Sequence, residues 1–212
     1  MTDIARFYDK LAAKHGATPK AVDAYGQNAL NKRYEVLSEV CHLDGRSILD
    51  VGCNYGGLGA YLRDKGRLDE AQYTGIDISK KAIEVGKKEN PDLNLIYADL
   101  ETYWPTDILT GGQKQFDVVL AQGIFYKLPN TPEGGAKIIE LISHLARLSK
   151  FAMAFTSVWH GGRPDKIPGV NWLEPAPILA FMLTMTPWVS LKTDYMDPDD
   201  ADFCCYAYKE KP

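Results

Sequence analysis

The sequence predicts an α/β fold: a doubly wound sheet of seven strands, mostly parallel, ending in an antiparallel hairpin and preceded by N-terminal helices. Three observations carry that expectation. From Gly45 onward, short strand-like runs alternate with helix-like segments, the pattern of a parallel sheet covered by helices on both faces. The stretch "ILDVGCNYGGLGAYL", Ile48 to Leu62, passes from strand formers through a glycine cluster into an apolar helical tail. Such a junction needs a tight turn from a buried strand into a helix, with backbone close enough to a ligand that side chains must be absent. The last two strand-like runs are joined only by "MDPDD", too short for a parallel crossover, so they must pair antiparallel.

Residues from about 2 to 43 read as a helical cap, in which "NALNKRYEVLSEV" sets Leu30, Tyr34, Leu37 and Cys41 at helical spacing. The alternation then runs "SILDV" strand, "GGLGAYLRDKG" helix, "QYTGID" strand, "SKKAIEVGKKEN" helix, "LNLIYAD" strand, "FDVVLAQ" strand and "PEGGAKIIELISHLARLSK" helix. Ser79 is placed to cap the helix after the second strand, and Thr131 followed by Pro132 is a cap with proline at the first helical position. The helix opened by Thr131 carries Ile138, Leu141, Ile142, Leu145 and Leu148 on one face, suited to packing on a sheet. "FAMAFTSV" is the fifth strand, "EPAPILAFMLTM" a helix, and "WVSLKTDY" and "ADFCCYAYK" the hairpin. The 212 residues are expected to form one domain, with residues 1–43 as cap and 45–210 as core.

Charge excludes some partners. Lys and Arg number 24 against 28 Asp and Glu, a net charge of -4 with no strongly basic block, which argues against a nucleic-acid partner. The longest apolar run, Ile178 to Met185, is far short of the roughly 20 residues a membrane span needs. The first residues carry mixed charge and resemble neither a secretory signal nor a lipidation site, so a cytoplasmic, soluble protein is expected. The four cysteines form no C-x-x-C pair and have no His at metal-ligand spacing; no metal site is expected. Cys204 and Cys205 are neighbours in a strand, where alternation sends them to opposite faces as packing thiols.

The run Asp50-Val51-Gly52-Cys53-Asn54-Tyr55-Gly56, the acidic Asp77 ending the second strand, "YADLE" after the third and the terminal hairpin together resemble the class I methyltransferases that use S-adenosylmethionine. The resemblance covers roughly residues 45 to 210 and implies a Rossmann-like sheet, S-adenosylmethionine as cofactor and S-adenosylhomocysteine as product. A glycine-rich turn is shared with nicotinamide and flavin enzymes. Asp50 two residues before the first glycine, Asn54 at the middle glycine position and the hairpin after the last helix favour the methyltransferase. Asn54 departs from the commoner glycine but tolerates positive φ.

The resemblance assigns roles by position. Gly52, with Cys53 and Asn54 in the same turn, lets the backbone approach the methionine part of the cofactor, and Gly56 allows close helix-to-strand packing. Asp50 orients this loop and contacts the cofactor's amino end, or is a turn-capping aspartate. Asp77, 27 residues beyond Asp50, would accept both ribose hydroxyls; Asp99 would accept from the adenine amino group, with Ala98, Leu100 and Ile78 against the ring. Gln122 follows the fourth strand at the edge where open α/β sheets bind ligands. Upstream, Tyr25, Gly26, Arg33 and Tyr34 match in order a helix that closes the cofactor mouth in a subgroup of these enzymes, where Arg33 would pair with the cofactor's carboxylate or else lie as a solvated helix arginine.

On the acceptor side, the turn Gln122-Gly123-Ile124-Phe125 has neither the D/N-P-P-Y/F of exocyclic-amine methyltransferases nor the Pro-Cys pair of cytosine-carbon enzymes. Candidate catalytic residues are His160 and Tyr126, with Lys127, Arg163 and Trp172 nearby in sequence. The irregular "WHGGRPDKIPGVNW" reads as a lid. A small-molecule methyl acceptor is the first expectation. A protein or RNA acceptor, a nicotinamide-binding oxidoreductase and a non-catalytic cofactor-binding protein are its rivals.

Overall fold

The computed structural model describes residues 2–24, 26–68, 72–103, 105, 114–159, 161, 170–196 and 202–212. Its elements are helices α1 (Asp3–His15) and α2 (Gln27–Ser38), joined through a 3-10 turn (Pro19–Val22), then β1 (Ile48–Val51), α3 (Gly57–Asp64), β2 (Tyr73–Asp77), α4 (Lys80–Glu89) and β3 (Asn94–Tyr97). There follow β4 (Phe116–Gln122), α5 (Pro132–Leu148), β5 (Ser149–Val158), α6 (Pro175–Met185), β6 (Val189–Lys192) and β7 (Asp202–Tyr208). All seven strands form one sheet in the order β3-β2-β1-β4-β5-β7-β6. The first five are parallel, and β7 enters antiparallel between β5 and the edge strand β6.

The sheet divides two apolar layers, and alternation along each central strand feeds both. Ile48 and Val118 enter the layer under α2, α3 and α4; Leu49 and Val119 enter the layer under α5 and α6. Cys204 and Cys205, both fully buried, divide in the same way between the two layers. The α5 face expected from its spacing is the buried one. Among the described residues no helix is long and apolar enough to cross a membrane.

Local chemistry sets the boundaries. Ser79 Oγ accepts the Ala82 amide at 3.0 Å and opens α4; Thr131 Oγ1 accepts the Gly134 amide at 3.3 Å and opens α5 behind Pro132. Helix α2 stops at Ser38, so Cys41, expected on its apolar face, lies beyond the helix and packs against the core from the following turn.

The reversal at β1 and β4 in the strand order leaves a crevice at the carboxyl ends of these two strands, where open α/β sheets bind ligands. Because β7 runs antiparallel, its first residue, Asp202, lies at that same edge, opposite Val158 at the end of β5.

Candidate active site

The turn after β1 is fixed from β2: the Ile76 carbonyl accepts the amides of Gly52 at 2.8 Å and Cys53 at 3.0 Å. Gly52 adopts φ 74°, and a Cβ there would come within 2.6 Å of the Ile124 side chain, so the position requires glycine for both conformation and space. Asn54, at φ 50°, carries the left-handed conformation expected of it. Its amide donates to Asp77 Oδ2 at 2.9 Å, and its buried side-chain oxygen has no hydrogen-bond partner among the described residues.

Asp77 ends β2 with its second oxygen, Oδ1, accepting the Ser79 amide at 2.7 Å. Burial pushes its carboxyl up to about 6, helped by the nearby Asp9 and opposed by the two amide hydrogen bonds. Each carboxylate oxygen has a second acceptor site, so Asp77 retains capacity for two incoming hydroxyls. Asp50, 2% exposed, accepts from the Tyr73 hydroxyl at 2.5 Å; burial pushes it up to about 7 against that hydrogen bond, with Asp77 adding to the rise.

Two hollows meet over this turn, sharing Ile4, Gly52, Asp77, Ile78 and Ile124 in their walls. The larger, about 650 Å³ and open to solvent, runs past Ala98, Asp99 and Leu100 toward Leu141. Asp99 there accepts the Glu101 amide at 3.0 Å through Oδ1. The second, about 520 Å³, runs the other way past Asn54, Gln122 and Tyr126. A smaller recess behind it reaches Asp50, Cys53, Tyr34 and Gln122. One cleft thus brings together Asp50, Gly52, Cys53, Asn54, Asp77, Ile78, Asp99, Leu100 and Gln122, nine residues drawn from four turns. The arrangement fits S-adenosylmethionine: a largely apolar slot with Asp77 and Asp99 on its wall, Gly52 at the turn beneath, and on Asn54 a side-chain oxygen without a partner among the described residues.

Arg33 does not line these hollows. It is 8% exposed, not solvated, and its Nε donates to Asp202 Oδ2 at 2.8 Å. Tyr126 stands beside this guanidinium, with Thr156 and Gln122 next to its hydroxyl; neither side chain gives it a hydrogen bond of good geometry. Burial raises the Tyr126 pKa, Asp202 raises it further and Arg33 opposes. Tyr126 therefore holds its proton at neutral pH, so it can donate a hydrogen bond but does not serve as a base. Lys127 turns away to an ion pair with Asp23 at 2.8 Å. The indole nitrogen of Trp172 is buried with no partner among the described residues. His160, Arg163 and Tyr25 lie outside the described residues, as does most of the expected lid.

Several residues at the cleft went unmarked by sequence reasoning. Ile4 and Tyr8 of α1 line it, and Tyr8, whose pKa burial raises, has Asp23, Tyr126 and Asp77 as charged or ionisable neighbours. Asp9 clasps α1 over the cleft by accepting from Ser79 Oγ at 2.6 Å and the Lys81 amide at 2.9 Å. The available signal was the amphipathic pattern of α1, which marks a buried face without saying what it covers.

Residues 49–150 match a family profile described as a methyltransferase domain. A phthiotriol/phenolphthiotriol dimycocerosates methyltransferase of Mycobacterium leprae (strain TN) is 29% identical over 132 residues, covering 60% of this chain and 46% of its own length. The chain thus spans about half the length of that curated relative. Among solved structures, magnesium protoporphyrin IX methyltransferase of Synechocystis PCC 6803 with bound S-adenosylhomocysteine superposes with a TM-score of 0.69 over 98% of both chains, at 15% identity. A [4+2]-cyclase superposes with a TM-score of 0.67 over 99% of this chain and 96% of its own, also at 15% identity. Likeness at that identity shows a shared fold, and a fold hosts more than one reaction.

Proposed function

We propose that this chain, whose residues 49–150 match a methyltransferase domain, is a class I S-adenosylmethionine-dependent methyltransferase and that it methylates a small-molecule acceptor with S-adenosylmethionine as donor. The observation that carries this reading is the pair of carboxylates, Asp77 and Asp99, set along one apolar slot beside the Gly52 turn. On that wall a ribose would meet Asp77 and an adenine amino group Asp99, with Ile78, Ala98 and Leu100 against the ring.

When bound, S-adenosylmethionine supplies a methyl group on a sulfonium that departs as a neutral thioether. The chain's part is alignment and exclusion of water. Gly52 and Asn54 bring backbone to the amino-acid end, Asp50 addresses its amine, and Arg33, which is not on the wall of either hollow but stands beside Tyr126, would reach its carboxylate past that side chain. Gln122 and Tyr126 face the region where an acceptor would stand in line with the sulfur, and Tyr126, protonated, orients the acceptor by donating a hydrogen bond. His160, in the segment after β5, is the proposed base for an acceptor that must lose a proton.

A small acceptor is favoured because Ile4 and Tyr8 of α1 line the cleft and narrow the space beside it, and because the net charge of -4 does not favour a nucleic-acid partner. Residues 1–43 are proposed as the cap of a single domain. A cytoplasmic setting agrees with Cys41, Cys53, Cys204 and Cys205, all present as free thiols.

The test is incubation with methyl-labelled S-adenosylmethionine and a fractionated cell extract, read by mass. Label in the small-molecule fraction supports the reading. Label confined to protein or RNA supports a macromolecular acceptor, and formation of S-adenosylhomocysteine in no fraction contradicts methyl transfer.

A further inference from the structure

Arg33 and Asp202 lie 169 residues apart, on α2 and at the first position of β7, and meet at the ligand edge of the sheet. The Asp202 side chain is wholly enclosed and that of Arg33 is 10% exposed. Removing two charges from water costs about what their attraction returns, so such a pair is weak as a device of stability. Its geometry suits another purpose. Asp202 Oδ2 accepts a hydrogen bond from Arg33 Nε, while Oδ1 accepts from the Tyr195 hydroxyl, so the carboxylate is held from two sides. A guanidinium has five N–H donors, and the bond at Nε leaves the two Nη nitrogens uncommitted to Asp202. The group stands beside Tyr126, a wall of the cleft, and the next residue, Tyr34, lines the recess with Asp50 and Gln122.

We propose that Asp202, backed by Tyr195, is a positioning residue that holds Arg33 by its Nε so that the outer fork of the guanidinium receives the carboxylate of S-adenosylmethionine. The inference rests on the reading that Arg33 serves the cofactor's amino-acid end. It also gives the terminal hairpin a purpose, since only an antiparallel β7 begins at the edge where the ligand lies, and so only that strand direction brings its first carboxylate to Arg33. A planar fork aimed by a fixed partner binds a carboxylate bidentately, whereas a free arginine must first be ordered.

Calorimetry with S-adenosylhomocysteine and 5′-methylthioadenosine, which lacks the amino-acid end, separates the possibilities. Arg33→Ala, Asp202→Asn and Tyr195→Phe are compared with the wild-type chain. Asp202→Asn is expected to bind S-adenosylhomocysteine about tenfold more weakly, the size of one misplaced charge-assisted hydrogen bond, and methylthioadenosine as before. Tyr195→Phe, which leaves the charge pair in place, is expected to show a smaller selective loss and serves alone if Asp202→Asn does not fold. Selective loss in Arg33→Ala with none in Asp202→Asn or Tyr195→Phe overturns the positioning role and leaves the Arg33 reading standing. Equal losses for both ligands in the Asp202 or Tyr195 variant also overturn it, because they mark a role in the fold alone. No selective loss in Arg33→Ala overturns the Arg33 reading and the inference with it.

Discussion

Asp77 meets the cleft with each oxygen already accepting one backbone amide, from Asn54 and from Ser79, and with its carboxyl pushed up to about 6 by burial. Hydroxyl donors favour the ionised form, so ligand binding lowers this pKa and releases a proton. Affinity for S-adenosylhomocysteine should therefore rise with pH through about 6 and fall below it. Asp77→Asn should flatten that dependence in calorimetric titrations at several pH values, and Asp77→Ala should cost roughly 1–3 kcal/mol of binding. An Asp77→Asn profile as steep as that of the parent would place the titrating group elsewhere. Asp50 bears on stability in the same way. Its folded pKa, about 7, lies above the unfolded value, so its contribution is fully present below about 4 and is lost as pH rises through 7. Asp50→Asn should accordingly gain in melting temperature relative to the parent between pH 5 and pH 8, and a difference that shrinks over that range would refute the assignment.

Helix α1 is held over the cleft at two places. Asp9 clasps the start of α4, and Lys127 pairs with Asp23 while its ammonium lies 4.7 Å from the Phe7 ring. Asp9→Ala removes a carboxylate that supplements the Ser79 cap, an effect of about 1 kcal/mol by analogy with helix caps. Amide exchange across α1 should quicken and S-adenosylhomocysteine should dissociate faster; unchanged exchange would show that the apolar contacts of α1 suffice without the clasp. Every strand and helix from β1 onward was legible in the sequence, because buried strands, glycine turns, caps at Ser79 and Thr131 and the short "MDPDD" link each carry their own local physics. What covers the cleft was not legible. The same pattern in α1 would serve a helix packed anywhere on the body, and only the folded chain brings Tyr8 beside Asp77 and Tyr126.

Over the whole molecule the strand order does the assembling. With β1 and β4 adjacent, the turns after β1, β2, β3 and β4 open on one crevice, and Asp50, Gly52, Asp77, Asp99 and Gln122 converge although they span more than seventy residues of sequence. Those positions could be named beforehand because each lies at or within two residues of the end of a strand. Asp202 could not, since nothing in "DPDDADF" says which of its acidic residues returns to α2; the register of β7 on β5 decides it. The same fold accommodates other chemistries, so the most direct experiment is a choice between ligands. Calorimetry of the chain with S-adenosylhomocysteine and, separately, with a nicotinamide dinucleotide tests whether this cleft is built for the methyl donor. The structure predicts saturable binding of S-adenosylhomocysteine, abolished or strongly weakened in Asp77→Ala, and no heat from the dinucleotide; dinucleotide binding without S-adenosylhomocysteine binding would contradict the account.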